Sequence, residues 1–266
     1  MRLLSVDASE LAPALERVGV ERGRILFVHS AFSQMKWIRV TPIQVIEILQ
    51  DAVGKEGTLA MPAFAMTGSS KEWLEQHQSF DWRKTPSQVG MLTEVFRRMK
   101  GTERSMHPTH SVTARGPDAA WLTQGHERSL TPFDEASPFQ KMADRNALVL
   151  RLGEMSVMTF RHFADHKLQA HVALPIYGER EIPITLVDRE KKQSSMVTRA
   201  HNPRVYCDHS PVLERLAREG GMRRERVGRF RMSLVPVQTY IDVYSQELEA
   251  GRIKHVPKTA PTEMHG

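Results

Sequence analysis

Three short apolar runs limit what this chain can fold into. Arg24-Ile-Leu-Phe-Val-His29, Gly57-Thr-Leu-Ala-Met-Pro62 and Ala147-Leu-Val-Leu-Arg-Leu-Gly153 show almost no alternation between apolar and polar residues. A strand with one wet face alternates, so runs like these fit strands covered on both faces. Helical patterns lie between them. Ser9 opens one, with Leu11, Leu15 and Val18 at helical spacing and Pro13 tolerated in its first turn. Thr41-Pro42 is an N-cap followed by proline at the first helical position, and that helix runs to Gly54. Residues 89–99 read as a helix with Met91, Leu92, Val95 and Phe96 inward, and residues 156–168 as another. A strand is expected over 181–188, then a polar turn, then helices over 211–219 and 236–249 with a strand near 229–235. Helices alternating with buried strands predict an α/β fold, a single layered domain with a mostly buried central sheet flanked by helices. No linker or internal repeat interrupts it, so the domain is taken as residues 1–255, with 256–266 as a disordered tail.

Composition narrows the partners. The chain has 266 residues, ample for a full core, and no apolar run of membrane-spanning length. Acidic residues within the first ten argue against a signal peptide. The single cysteine, Cys207, allows no internal disulfide and suits a reducing, cytoplasmic setting. A formal charge of +6 and a pI near 9.6 favour anionic partners. Much of the excess lies at Arg215, Arg218, Arg223, Arg224, Arg226, Arg229 and Arg231, where only Phe230 interleaves an aromatic ring. That pattern does not specify nucleic acid.

Four segments hold the candidate chemistry. His107 and His110 bracket Pro108-Thr109, just before a short strand pattern, Ser111 to Ala114, and Pro108 stiffens the turn. Val28-His-Ser-Ala-Phe-Ser33 follows the first buried strand, where open α/β sheets bind ligands beyond the strand ends. Ser30 and Ser33 there could hold a phosphate or an amide-bearing chain, although the segment lacks the glycines of a phosphate loop. In Thr159-Phe-Arg-His-Phe-Ala-Asp-His166, His162 lies one helical turn from both Asp165 and His166. Either His162 is a general base whose tautomer a carboxylate fixes, or His162, Asp165 and His166 form an inverted zincin-like metal set. The metal set would need a further ligand that spacing does not supply. In Tyr206-Cys-Asp-His-Ser-Pro211, Asp208 is either an N-cap or the carboxylate partner of a distant histidine. Cys207 reads more as a small buried hydrophobe than as a nucleophile.

Taken in order, these segments resemble the aminoglycoside N(3)-acetyltransferase family. The resemblance rests on Val28-His-Ser-Ala-Phe-Ser, Gly57-Thr-Leu-Ala-Met-Pro-Ala-Phe, Phe80-Asp-Trp-Arg-Lys-Thr-Pro-Ser, Arg104-Ser-Met-His-Pro-Thr-His-Ser-Val, Ser137-Pro-Phe, Val149-Leu-Arg-Leu-Gly and Thr159-Phe-Arg-His-Phe-Ala-Asp. It implies that fold, with acetyl-coenzyme A bound beside a small-molecule amine and direct transfer without an acyl-enzyme. It implies His162 as general base and Asp208 as the late carboxylate that orients it. Ser30, Ser33, Thr109 and Ser111 would line the cofactor channel, and His107, His110 and Asp165 would face the acceptor. No metal, specific nucleic acid or membrane is expected, and the assembly would be a monomer or homodimer. The acceptor would be an aminoglycoside or related amino sugar, with a non-antibiotic amine or a metal-dependent hydrolase as alternatives. Three features depart from the family. Asp165 stands where glutamate is usual, Arg161 where an apolar residue is usual, and Asp81-Trp-Arg-Lys84 is basic.

Overall fold

A computed structural model describes residues 6–154 and 158–258. Its largest sheet has seven strands, in the spatial order Arg223–Val227, Phe230–Pro236, Leu148–Leu152, Ile25–Ser30, Thr58–Pro62, Val112–Arg115, Glu103–Arg104. The three apolar runs are its centre. Ile25–Ser30 pairs in parallel with both Thr58–Pro62 and Leu148–Leu152, while the outer strands pair antiparallel.

Side chains alternate along these strands and feed two cores. Leu26, Val28, Leu59, Met61, Leu148 and Leu150 pack with the helices Leu11–Val18, Pro42–Val53 and Met91–Arg98. Ile25, Phe27, Ala60 and Val149 face the other way, onto Pro138–Asp144, Phe160–Lys167, Ser210–Arg218 and Val237–Glu249. The result is three layers, helix on sheet on helix. Local signals set the helix starts. Thr41 Oγ1 accepts from the Gln44 amide while Gln44 Oε1 accepts from the Thr41 amide, a reciprocal capping box ahead of Pro42. Gly116 ends the Val112–Arg115 strand at φ +135, and a Cβ there would lie 2.4 Å from the Gly57 carbonyl oxygen. Only glycine combines that backbone with that approach.

Several expectations shift. The strand expected over 181–188 is longer, Tyr177–Val187, and lies outside the main sheet. It pairs antiparallel with Gln193–His201 and parallel with Ser79–Asp81, over a separate small core of Leu74, Phe80, Ile182, Ile184, Leu186 and Met196. Met91 is 61% exposed at the start of its helix, while Leu92 and Phe96 take the inward face. The helix expected from residue 156 is Phe160–Lys167, and residues 155–157 lie outside the described residues. His255–Pro257 pairs antiparallel with Val205–Cys207, so the first residues of the expected tail are strand, held by backbone bonds. The rest of that expectation, 259–266, lies outside the described residues. Among the described residues no helix is long and apolar enough to cross a membrane.

Candidate active site

The Phe160–Lys167 helix follows the end of the central strand Leu148–Leu152, on the side of the sheet that it shares with Pro138–Asp144, Ser210–Arg218 and Val237–Glu249. Phe160 and Phe163 anchor it in the core, which turns His162 and Asp165 to a shared flank one turn apart. His162 Nδ1 lies 3.6 Å from Asp165 Oδ2, and its side chain keeps 28% exposure. Its other nitrogen, Nε2, lies 3.0 Å from Arg161 Nη2. A guanidinium only donates, so Nε2 holds a lone pair and the ring proton sits on Nδ1, facing the carboxylate. The His162 pKa is lowered, chiefly by burial; Asp165 opposes that, and the Arg161 charge adds to it. Such an imidazole is neutral at pH 7 with its lone pair on Nε2.

Asp165 is the hub. It accepts from Tyr244 Oη at 2.5 Å and from His255 Nε2 at 2.7 Å. Burial pushes its pKa up, but nearby His162 and the bonds from His255 and Tyr244 hold the carboxyl well below its ordinary range. The His201 ring meets that of His162 edge to face at 4.7 Å, and burial, then His162, push His201 down to about 3. Phe133 lies between His110 and His162, 5.1 Å from one ring centre and 6.4 Å from the other.

The turn at 107–111 is a closed network by contrast. His107 Nδ1 accepts from the amides of Thr109 and His110, and its Nε2 faces Thr198 Oγ1 at 3.4 Å. Thr109 Oγ1 bonds the Nδ1 of His107 and of His110. Ser111 Oγ donates to the Ala63 carbonyl and accepts from Arg104 Nε. All of these residues are buried. Thr109 and Ser111, expected to line a cofactor channel, therefore present no free hydroxyl.

Ser30 and Ser33 lie at the carboxyl end of the Ile25–Ser30 strand. The buried Oγ of Ser30, Nε2 of His29 and Nε of Arg151 have no hydrogen-bond partner. Ser33 lines a small cavity with Gln34, Arg229 and Arg231. Arg231 also borders a larger one, about 820 Å³, lined by Arg151, Arg224 and Arg226. The acids there are engaged, Glu225 with Arg17 at 2.8 Å and Glu154 with Arg231. The crevice is thus cationic.

The aminoglycoside 3-N-acetyltransferase family model matches residues 27–249. The chain belongs to that family. Relatives include aminoglycoside N(3)-acetyltransferase IV from Salmonella sp, 32% identical over 82% of this chain and 77% of the relative. Enzyme III of Pseudomonas aeruginosa is 27% identical over 83% and 85%. The YokD protein of Bacillus subtilis, named as aminoglycoside N(3')-acetyltransferase-like, is 29% identical over 58% of this chain, and the match spans 62% of its own length. The fold agrees with a solved structure of AAC-IIIb with CoASH, at TM-score 0.76 and 22% identity over 95% of this chain and 99% of that one.

Within this family frame, the structure joins His162 to Asp165 but does not bring Asp208 to His162. Asp208 is exposed, and its Oδ1 accepts from the Ser210 amide at the start of a helix. That bond closes an Asx turn just ahead of the helix, whose N-cap is His209. The carboxylate on His162 comes from its own helix. His166 likewise leaves the metal set expected from spacing, because its Nδ1 faces Tyr177 Oη at 3.1 Å and its Nε2 faces Asp134 at 3.9 Å. Where donor atoms do cluster, within 4.8 Å of one another, the three residues are His162, Asp165 and His201. Cys207 is buried, its thiol pKa is raised by burial, and its sulfur lies 3.4 Å from Tyr244 Oη, whose proton goes to Asp165. No nucleophile is made there. The sequence missed Tyr244, His255 and His201, which reach the site from distant strands and the last long helix.

Proposed function

We propose that the chain is an N-acetyltransferase that moves the acetyl group of acetyl-coenzyme A directly onto a primary amine of an amino-sugar-like acceptor, with His162 as general base. The observation that supports it most is the polarity of one imidazole. A buried carboxylate faces Nδ1 at 3.6 Å, and Nε2 turns a lone pair toward the Arg161 guanidinium. Family membership points to the same reaction, since the relatives are named as acetyltransferases.

Atoms balance as follows. The acceptor ammonium gives one proton to solvent. Its nitrogen bonds the thioester carbonyl carbon while His162 Nε2 takes a second proton. The carbon–sulfur bond breaks, the sulfur leaves with the electron pair, and the proton passes from His162 to that sulfur. Asp165 stabilises the imidazolium that forms between these events. Holding amine and thioester at attack distance supplies much of the rate. The cationic crevice suits the coenzyme's phosphates, and the unpartnered polar atoms of Ser30, His29 and Arg151 suit an amide-bearing arm.

The test is thiol release from acetyl-coenzyme A, with and without an amine such as gentamicin or D-glucosamine. We expect release that depends on the amine and falls at least about a hundredfold in His162→Gln. Unchanged kcat/KM in that variant would remove the base, and no release with any amine would remove the reaction. The second reading, a metal hydrolase, is favoured by the His162, Asp165 and His201 cluster alone. Transfer that survives excess chelator eliminates it.

A further inference from the structure

Arg161 is a cation placed against the base itself. Its Nη2 donates to His162 Nε2 at 3.0 Å, and its Nη1 faces His209 Nδ1 at 3.4 Å. Among the described residues no carboxylate oxygen lies within 4 Å of it. Asp208 feels the guanidinium charge, but its Oδ1 is bonded to the Ser210 amide. Asp165 is turned inward, toward Tyr244 and His255. The guanidinium is therefore held by two imidazoles, with no carboxylate bonded to it among the described residues.

This position decides which amines can react. Any acceptor nitrogen must come to Nε2, the atom that Arg161 now caps. A polycation would bring further positive charge to within a few ångström of a guanidinium in a partly buried site. The neighbouring cavity does not relieve that. It holds about 420 Å³, includes His201 and Tyr177, and carries Lys71, Arg180 and Arg204 against Glu75 and Glu179. Glu75 already faces Arg180 at 3.7 Å. No acidic surplus waits for a polycation. A carboxylate or phosphate, in contrast, matches the planar fork of the guanidinium and competes for its donors.

We propose that the acceptor is a primary amine that also carries a carboxylate or phosphate, and that Arg161 binds this anion. Docking of the anion draws the guanidinium off Nε2 and frees the lone pair as the amine arrives. This rests on the acetyl-transfer reading, whose substrate class it narrows.

The experiment compares four acceptors at saturating acetyl-coenzyme A: D-glucosamine, its 6-phosphate, 2-amino-2-deoxy-D-glucuronic acid and gentamicin. The phosphate and carboxylate arms separate the two sources of negative charge. In the wild type we expect kcat/KM for at least one anionic amine to exceed that for D-glucosamine by about tenfold or more, the worth of a charge-assisted bond. Gentamicin should be the poorest acceptor. In Arg161→Leu the anionic advantage should shrink to within about threefold and gentamicin should improve. Equal kcat/KM for charged and uncharged acceptors in the wild type, or an advantage that persists in Arg161→Leu, overturns the proposal. A second measurement stands if none of the four is acetylated. Inorganic phosphate should move the NMR resonances of the His162 ring, assigned by their loss in His162→Gln. It should move them in the wild type and not in Arg161→Leu. Identical behaviour of the two proteins overturns the anion site, independently of whether transfer occurs.

Discussion

Two histidine-bearing segments lie beyond the strand ends, and they differ in what they leave unbonded. In the 107–111 turn and its neighbour His126, both ring nitrogens of His107 and of His126 have partners. His126 donates from Nε2 to the Pro132 carbonyl and accepts at Nδ1 from Ser105, with its ring stacked 4.5 Å from that of His107. At the Phe160–Lys167 helix the opposite holds. Nε2 of His201, Nδ1 of His255 and Oγ1 of Thr159 are buried without a hydrogen-bond partner, and Nδ1 of His162 has only the Asp165 carboxylate, at 3.6 Å. Buried polar atoms normally find partners, so an unfinished cluster beside a cavity marks where a ligand completes the bonding. The finished cluster holds shape. Equal abundance of histidine therefore says little, and the unbonded atoms separate scaffold from site.

The comparison can be broken most sharply at Asp165. Asp165→Asn removes the carboxylate from His162 and leaves Tyr244 and His255 with a poorer partner. We expect kcat to fall about a hundredfold or more, with a stability loss of roughly 2 kcal/mol. Steady-state rates and urea midpoints read the two effects separately. A loss of stability with kcat intact would make Asp165 scaffold too.

Acid should act mainly through the buried rings. Burial, and then Arg151, hold His29 down to about 4, so the unfolded chain takes up a proton before the folded one does. Its share of stability is complete above pH 6.5 and is lost as pH falls from 6.5 toward 4, about 3 kcal/mol for this group. Asp165 is depressed instead, so its share disappears only below the ordinary aspartate value of 3.8. Urea midpoints across this range should decline in the wild type and decline less steeply in His29→Gln, which keeps the other depressed rings. A profile flat from pH 7 to 4.5 would contradict the neutral-core account.

On the scaffold side, His126→Phe keeps the ring and deletes both of its bonds. It should cost roughly 2 kcal/mol, partly through the orphaned Pro132 carbonyl, while kcat stays within about threefold. A large loss of kcat without loss of stability would move the turn into the catalytic machinery. The smallest effect is expected at Cys207. Cys207→Ser should change kcat by less than about twofold, because the thiol is buried and its pKa is raised.

The layered fold was legible because its signal is local. Continuous apolar runs bounded by capping residues place the parallel centre of the sheet, and Thr41-Pro42 places a helix start to the residue. The pairing of His162 with Asp165 was legible for the same reason, since three residues make one helical turn. Tertiary pairing was not. Tyr244 and His255 stand 79 and 90 residues from Asp165, and nothing in their neighbourhoods distinguishes them. Asp208 stands near the right point in the order of motifs, yet its carboxylate turns back onto the Ser210 amide. The same geometry turns His166 toward Tyr177 and brings in His201 from a strand of the second sheet.

The central claim is that His162 sits at pH 7 as a neutral ring with its proton on Nδ1, directed at Asp165, and its lone pair on Nε2. Nitrogen-15 NMR of the histidine rings, with His162 assigned through His162→Gln, reads this directly. We expect a protonated Nδ1 and an unprotonated Nε2 at pH 7, with the protonated fraction of Nδ1 falling in Asp165→Asn. A proton on Nε2, or a fully protonated imidazolium at that pH, would contradict the account.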